Sequence, residues 1–120
     1  MATILVVEDN PQNLKLAQLV LQRAGHSVLS SDNGEAGLEL ARAEQPDLIL
    51  MDVQMPGMDG LAVTRLLKQS PDTAHIKVIA LTALAMKGDA ERILAAGCDA
   101  YLAKPYHYNE LVAVVQRALG

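Results

Sequence analysis

The sequence consists of short apolar runs that alternate strictly with longer amphipathic segments, and this alternation restricts the fold more than any other feature. The apolar runs have the length of strands, and the longer segments repeat apolar residues with the period of an α-helix. The pattern predicts strands at Thr3–Glu8, Ser27–Ser30, Asp47–Asp52, Ile76–Leu81 and Asp99–Leu102. It predicts helices at Pro11–Ala24, Gly34–Glu44, Leu61–Gln69, Lys87–Ala96 and Tyr108–Leu119.

Five consecutive βα units predict an α/β fold, in which a parallel sheet carries helices on both faces. Right-handed crossovers limit the possible topologies, and the doubly wound, flavodoxin-like strand order 2-1-3-4-5 is the leading option for five strands. The chain has 120 residues, a length that suits one compact domain. Because neither a linker nor a second domain is visible, we expect a single domain over residues 1–120.

The composition argues against several classes of function. Hydrophobic residues make up 51% of the chain, which is enough for a continuous core, but the only aromatic residues are three tyrosines. With a net charge of −4 and no basic run, direct binding to nucleic acid is not expected. The single Cys98 excludes an internal disulfide and a cysteine-based zinc site. No signal peptide or long apolar span is visible, so we expect a cytoplasmic protein without membrane attachment.

Polar residues follow the predicted strands at the points where the strands end. Glu8 and Asp9 end or follow the first strand, Asp52 ends the third, and Thr82 and Lys104 follow the fourth and fifth. In an open parallel sheet the carboxyl ends of the strands share one edge, and sites form where the strand order reverses. The sequence therefore brings three carboxylates, a hydroxyl and an amine together from four distant segments.

This set of side chains suits phosphoryl chemistry. Three neighbouring carboxylates repel one another, and a bound divalent cation removes that penalty. Oxygen ligands favour Mg²⁺, which also accepts phosphate oxygens as ligands. A carboxylate beside such an ion can act as a nucleophile and form an aspartyl-phosphate, while an amine and a hydroxyl stabilise the phosphoryl oxygens.

Each residue also has a purely structural interpretation. Glu8 and Asp9 could favour a helix N-terminus through their charge, and Asp52 could start a turn. Thr82 could cap the next helix, and Lys104 could be a solvated loop residue. The joint placement at one edge favours the functional interpretation, because four unrelated structural roles rarely produce it.

Four segments together closely resemble the receiver domain of bacterial two-component response regulators. They are VVEDN at Val6–Asn10, DLILMDVQMPGMDG at Asp47–Gly60, ALTA at Ala80–Ala83 and KP at Lys104–Pro105. The resemblance covers essentially the whole chain, and the order and spacing of these segments are highly specific.

The resemblance implies a role for each residue that matches the family pattern. It implies that Asp52 is the phosphoacceptor, and that Glu8, Asp9, Asp52 and the backbone carbonyl of Gln54 hold Mg²⁺. Thr82 and Lys104 would contact the phosphoryl group, and Tyr101 would be the aromatic residue that turns inward when the threonine moves. Ala83 would leave room for the phosphodonor, and Pro105 would follow a cis peptide bond that directs Lys104 into the site.

The resemblance also implies partners: a sensor histidine kinase or phosphotransfer protein as donor, and an effector protein as reader. The reading surface would include Met86, Lys87, Glu91, Tyr101, Tyr106, Glu110 and Val114. A stand-alone regulator is the favoured form, and a receiver domain of a hybrid histidine kinase acting in a phosphorelay is the alternative. Gln54 and Leu84 occupy the positions that tune dephosphorylation. Since Leu84 is apolar and cannot orient a water molecule, we expect a long-lived phosphoryl group.

Two other classes of function remain as alternatives. A phosphatase with an aspartyl nucleophile would act on a separate substrate, but such enzymes carry an Asp-x-Asp pair on the first strand. Here Asp52-Val53-Gln54 lacks the second aspartate and ends the third strand. A binding module with a vestigial site would not need the full polar set. We therefore expect no enzyme activity beyond phosphoryl transfer to Asp52 and its slow reversal.

Overall fold

A computed structural model describes residues 2–55, 57, 59–83 and 87–120, and for residue 87 the backbone only. It contains five strands: β1 Thr3–Val7, β2 Ser27–Ser31, β3 Leu48–Asp52, β4 Lys77–Thr82 and β5 Ala100–Ala103. Five helices alternate with them: α1 Pro11–Arg23, α2 Gly34–Glu44, α3 Gly60–Gln69, α4 Lys87–Ala95 and α5 Tyr108–Leu119. The strands form one parallel sheet in the order β2-β1-β3-β4-β5, so the predicted fold class and strand order are confirmed.

The strands alternate their side chains between two separate cores, as the period of two requires. From β1 and β3, Leu5, Val7, Ile49 and Met51 point into the core on one face of the sheet, which also contains buried residues of α2, α3 and α4. The residues between them point into the core on the opposite face, which α1 and α5 complete. Because both faces are covered, β3 is buried along its whole length, and its sequence is a continuous apolar run up to Asp52.

Helix boundaries follow local capping signals. The Asn10 side chain accepts hydrogen bonds from the backbone of Gln12 and Asn13, at 3.0 and 3.1 Å, and starts α1 at Pro11 as predicted. Asp59 caps α3 through Ala62 N–H at 2.9 Å, which extends that helix by one residue to Gly60.

Strand boundaries differ from the predictions by about one residue, because strand ends are set by pairing with a neighbouring strand. Thr82 belongs to β4, since it pairs with Ala103 of β5. Asp99 lies before β5 instead of within it, and its carboxylate accepts the backbone N–H of Val78 at 2.8 Å. Within the described part of the chain, no helix is both long and apolar enough to span a bilayer.

Candidate functional site

The carboxyl ends of β1 and β3 lie side by side and bring the predicted acidic residues together. Carboxylate oxygens of Glu8, Asp9 and Asp52 lie within 4.8 Å of one another. Glu8 and Asp52 are each only 2% exposed, whereas Asp9 is exposed. The site therefore has two buried carboxylates and a third at its opening.

The approach of α3 to this edge depends on Gly60. A Cβ atom at Gly60 would meet the backbone oxygen of Asp52, and would lie 2.8 Å from Cγ of Met51 and 2.9 Å from Cα of Val53. Because these contacts are closer than real Cβ atoms make, only glycine allows the helix to begin directly beneath Asp52.

Lys104 crosses from the end of β5 into the acidic group. Its Nζ atom lies 2.9 Å from Oε1 of Glu8 and 3.3 Å from Oδ2 of Asp52. The Lys104–Pro105 peptide is cis, which confirms the prediction for Pro105. One ammonium group thus faces three carboxylates, and the positive charge does not balance the negative charge.

The pKa values of the paired groups reflect their burial and their charged neighbours. Burial, reinforced by the hydrogen bond with Asp52, raises the pKa of Glu8 to about 7, although Lys104 opposes the shift. Burial alone would lower the pKa of Lys104, but the hydrogen bond to Glu8 and the charge of Asp52 outweigh it and raise that pKa. The Glu8 carboxyl group is therefore harder to ionise than an ordinary glutamate, and a bound cation would favour its ionised form.

The donor set fits a divalent cation. Three carboxylates whose oxygens lie within 4.8 Å of one another supply the hard oxygen ligands that Mg²⁺ prefers, and their excess negative charge favours a second cation beside Lys104. The acidic group Glu8, Asp9 and Asp52 can therefore bind a metal ion.

The residues after β3 and β4 close the other side of the site. The backbone N–H of Gln54 donates to Oδ1 of Asp52 at 2.9 Å, and the Gln54 side-chain oxygen accepts the backbone N–H of Ala83 at 3.2 Å. Thr82 is fully buried at the end of β4, while Ala83 is exposed. The Gln54–Ala83 contact was not predicted from the sequence, which assigned Gln54 a backbone carbonyl for Mg²⁺ and a position that tunes dephosphorylation.

Tyr101 lies away from the acidic group. It pairs with Ala80 across β4 and β5, is 45% exposed, and lines a cavity with Leu94 and Val114. Met86 and Leu84, and the side chain of Lys87, are outside what the structure describes. The structure thus brings Glu8, Asp9, Asp52 and Lys104 together, joins Gln54 and Ala83 to them, and leaves Tyr101 on a separate surface.

Comparisons with known proteins agree with this geometry. The family model of the response regulator receiver domain matches residues 4–116. The polar-differentiation response regulator DivK of Brucella anthropi is 44% identical over 118 residues, which cover 98% of this chain and 96% of that protein.

Solved structures give the same result for the fold. A putative response regulator from Chloroflexus aurantiacus superposes with a TM-score of 0.94 at 33% identity, covering 98% of this chain and 97% of its own. The receiver domain of sensor histidine kinase PA1611 from Pseudomonas aeruginosa, solved with a magnesium ion coordinated in its active site cleft, has a TM-score of 0.91 at 38% identity. That comparison covers 99% of this chain and 98% of the other. The chain therefore belongs to the response regulator receiver family of two-component signal transduction.

Proposed function

We propose that this protein is a phosphorylation-dependent switch in which Asp52 accepts a phosphoryl group from a histidine kinase or phosphotransfer protein. The observation that carries the proposal is how Asp52 is held. Its carboxylate is buried, one oxygen accepts the Gln54 N–H at 2.9 Å, and the other lies 3.3 Å from Lys104. A nucleophile fixed from both sides needs little reorganisation before it reacts.

The transfer step follows from this arrangement. A carboxylate oxygen of Asp52 attacks the phosphorus of a phosphohistidine, and the O–P bond forms as the P–N bond breaks. The electron pair of the P–N bond returns to the imidazole nitrogen of the donor. Lys104 and the Thr82 hydroxyl provide donors for the negative charge that the phosphoryl oxygens carry.

A magnesium ion would be held by Glu8, Asp9, Asp52 and the backbone carbonyl of Gln54. When bound, Mg²⁺ neutralises the carboxylates and the phosphoryl oxygens, which would otherwise repel one another. The convergence of three carboxylates within 4.8 Å supports this assignment, as does the magnesium ion in the related PA1611 receiver domain.

The change at Asp52 is read on another surface. Thr82 ends β4, and two residues earlier Ala80 pairs with Tyr101 on β5. Movement of Thr82 toward the phosphoryl group frees space beside β5, and the exposed Tyr101 ring turns inward. We place the effector protein on the surface formed by α4, β5 and α5, which includes the exposed Glu91 and Glu110. Val114, which was expected on this surface, is only 6% exposed and packs into the core beneath it.

The relatives include a regulator named for polar differentiation and receiver domains of sensor histidine kinases, and the chemistry at Asp52 would be the same in either setting. We favour a stand-alone regulator with one domain over residues 1–120. We further propose that it works in the cytoplasm and binds neither nucleic acid nor membrane. It would catalyse only its own phosphorylation and slow dephosphorylation.

The test is incubation with Mg²⁺ and acetyl phosphate, followed by intact-mass measurement. The wild type should gain one phosphoryl group per chain, and Asp52→Asn should gain none. Asp47→Asn is a matched control, because Asp47 is an exposed aspartate just before the opposite end of the same strand and accepts the Thr3 N–H at 2.9 Å. It should be phosphorylated like the wild type. Phosphorylation of Asp52→Asn, or turnover of added phosphoesters without a mass gain, would refute the proposal.

The lifetime of the phosphoryl group is a second test. Hydrolysis needs a water molecule placed by a polar group within hydrogen-bonding reach, and the apolar Leu84 cannot provide one, so we expect a half-life longer than about one minute. The decay is followed by mass after the phosphodonor is removed. A half-life on the scale of seconds would contradict this prediction while leaving the role of Asp52 intact.

A further inference from the structure

The side chain of Gln54 spans the gap between the loop after β3 and the loop after β4. Its own backbone N–H is bonded to Oδ1 of Asp52 at 2.9 Å, and its side-chain oxygen is bonded to the N–H of Ala83 at 3.2 Å. Gln54 thus contacts the Asp52 carboxylate through its backbone and the Ala83 backbone through its side chain. The orientation of the side-chain amide is fixed by chemistry, because the Ala83 N–H is a donor and only the oxygen of Gln54 can accept it.

The Ala83 N–H directly follows β4, beside the end of β3 that carries Asp52. Asp52 pairs with Leu81 across β3 and β4, and Val53 N–H donates to Leu81 O at 3.1 Å. Thr82 and Ala83 therefore run directly past the end of β3. A phosphoryl group on Asp52 adds three oxygens to a site in which Lys104 is already shared with Glu8. The backbone amide of Ala83 is a further donor, but Gln54 occupies it.

We propose that Gln54 is a placeholder: in the unphosphorylated protein its side-chain oxygen occupies the Ala83 N–H that a phosphoryl oxygen takes over after transfer to Asp52. This inference rests on the proposed function and extends it to the regulation of the same site. The exchange is favourable in the phosphorylated state because hydrogen bonds to charged oxygens are stronger than those to a neutral amide. Gln54 is exposed, so water satisfies its side chain once it is displaced.

The placeholder has two consequences. It keeps the loops after β3 and β4 joined while Asp52 is unmodified, and it opposes the binding of any phosphoryl-like group. A phosphoryl-like group must displace the Gln54–Ala83 hydrogen bond, which costs about the net free energy of one hydrogen bond. Removing the Gln54 oxygen should therefore strengthen the binding of such a group about two- to tenfold.

The variant that tests this is Gln54→Met, which keeps the length of the side chain and removes its oxygen. Gln54→Ala is a second variant that leaves the space open. Gln69→Met is the matched control, because Gln69 is an exposed glutamine at the far end of α3. The first readout needs neither metal nor phosphoryl group: the Ala83 amide proton in metal-free protein, followed by NMR. Both Gln54 variants should shift this proton upfield and make its temperature coefficient more negative, and the control should not.

The second readout is the affinity for beryllofluoride, a phosphoryl mimic, at saturating Mg²⁺. Both Gln54 variants should bind it about two- to tenfold more tightly than the wild type and Gln69→Met. An unchanged Ala83 amide, or an affinity that is unchanged or weaker in both variants, would overturn the inference while Asp52 remains the phosphoacceptor. Failure of the wild type to take a phosphoryl group from acetyl phosphate would overturn the proposed function and this inference together.

Discussion

Two lysines of this protein have nearly equal exposure but opposite surroundings. Lys104 is 21% exposed and Lys68 is 20% exposed, and each lies about 3 Å from a carboxylate oxygen. Lys68 donates to Asp99 at 3.1 Å and to the backbone oxygens of Ala74 and Ile76 at 3.3 and 2.7 Å. Its three donors meet one charge and two neutral acceptors, so the local charge balances.

The acidic group around Lys104 does not balance. One ammonium group faces Glu8, Asp52 and the nearby Asp9, and the pKa of Glu8 is raised to about 7 as a result of burial and its acidic neighbour. A balanced, partly buried ion pair such as Lys68–Asp99 holds elements together, whereas an unbalanced group of charges favours the binding of a further cation. The comparison teaches that local charge balance, more than burial or distance, separates Lys68 from the lysine that we propose contacts the phosphoryl group.

The largest expected effect comes from replacing each lysine with methionine. In metal-free buffer we expect each variant to lose about 2 kcal/mol in the free energy of unfolding, because partly buried acceptors lose a charged donor. Saturating Mg²⁺ should restore most of the loss in Lys104→Met, since a cation at the acidic group replaces the missing charge. It should leave the deficit of Lys68→Met relative to the wild type unchanged, because Mg²⁺ at the intact acidic group stabilises this variant and the wild type equally. Urea unfolding with and without Mg²⁺ measures both, and equal rescue of the two variants would break the comparison.

The fold could be predicted from the sequence more completely than the contacts of the two lysines. The alternation of strands and helices predicted a parallel sheet with helices on both faces, and the preference for right-handed crossovers made the observed strand order the leading option. Helices α2 and α5 had the predicted bounds, since Asn33 and Pro46 delimit the first and Glu110 supports the start of the second. Strand ends differed by a residue, because the neighbouring strand decides where pairing stops.

For the site, sequence order placed Glu8, Asp9, Asp52 and Lys104 at one edge, and the structure brings them together. The contact of Gln54 with Ala83 joins residues 29 positions apart and depends on one side-chain conformation, which no periodicity encodes. The hydrogen bonds from Lys68 to Asp99, Ala74 and Ile76 were also not predicted from the sequence. The sequence pattern placed Asp99 at the start of the fifth strand, and its role as a partner of Lys68 depends on the loop over Ala74–Ile76, which no periodicity predicts.

A smaller effect on the free energy of unfolding is expected from pH, and it tests the state of Glu8 in the acidic group around Lys104. Because the pKa of Glu8 is raised from 4.5 to about 7, the folded chain holds this proton more tightly than the unfolded chain. The contribution to stability is therefore complete below the unfolded pKa and is lost as pH rises through the folded value. In metal-free buffer we expect the free energy of unfolding to fall by on the order of 1 kcal/mol between about pH 5 and pH 8.

Glu8→Gln is the control for this pH dependence. Subtracting its pH profile from that of the wild type removes the contributions of the histidines and other groups, and the remaining difference belongs to Glu8. Lys68→Met should retain the wild-type slope, because Lys68 lies outside the acidic group. A difference profile that is flat, or that rises with pH, would show that Glu8 is ionised at least as readily in the folded chain as in the unfolded one.

The smallest effect on the free energy of unfolding is expected from a third cation, Arg92, whose ion pair is the most exposed of the three. Its guanidinium lies 3.3 Å from Asp89 on α4, but its side chain is 63% exposed, so water and salt screen the pair. We expect Arg92→Met to change the free energy of unfolding by less than about 0.5 kcal/mol. Mg²⁺ should not alter that difference. A loss as large as that of Lys68→Met would mean that charge balance is no guide here, since an exposed and balanced pair would then stabilise the fold as strongly as the partly buried pair of Lys68 and Asp99.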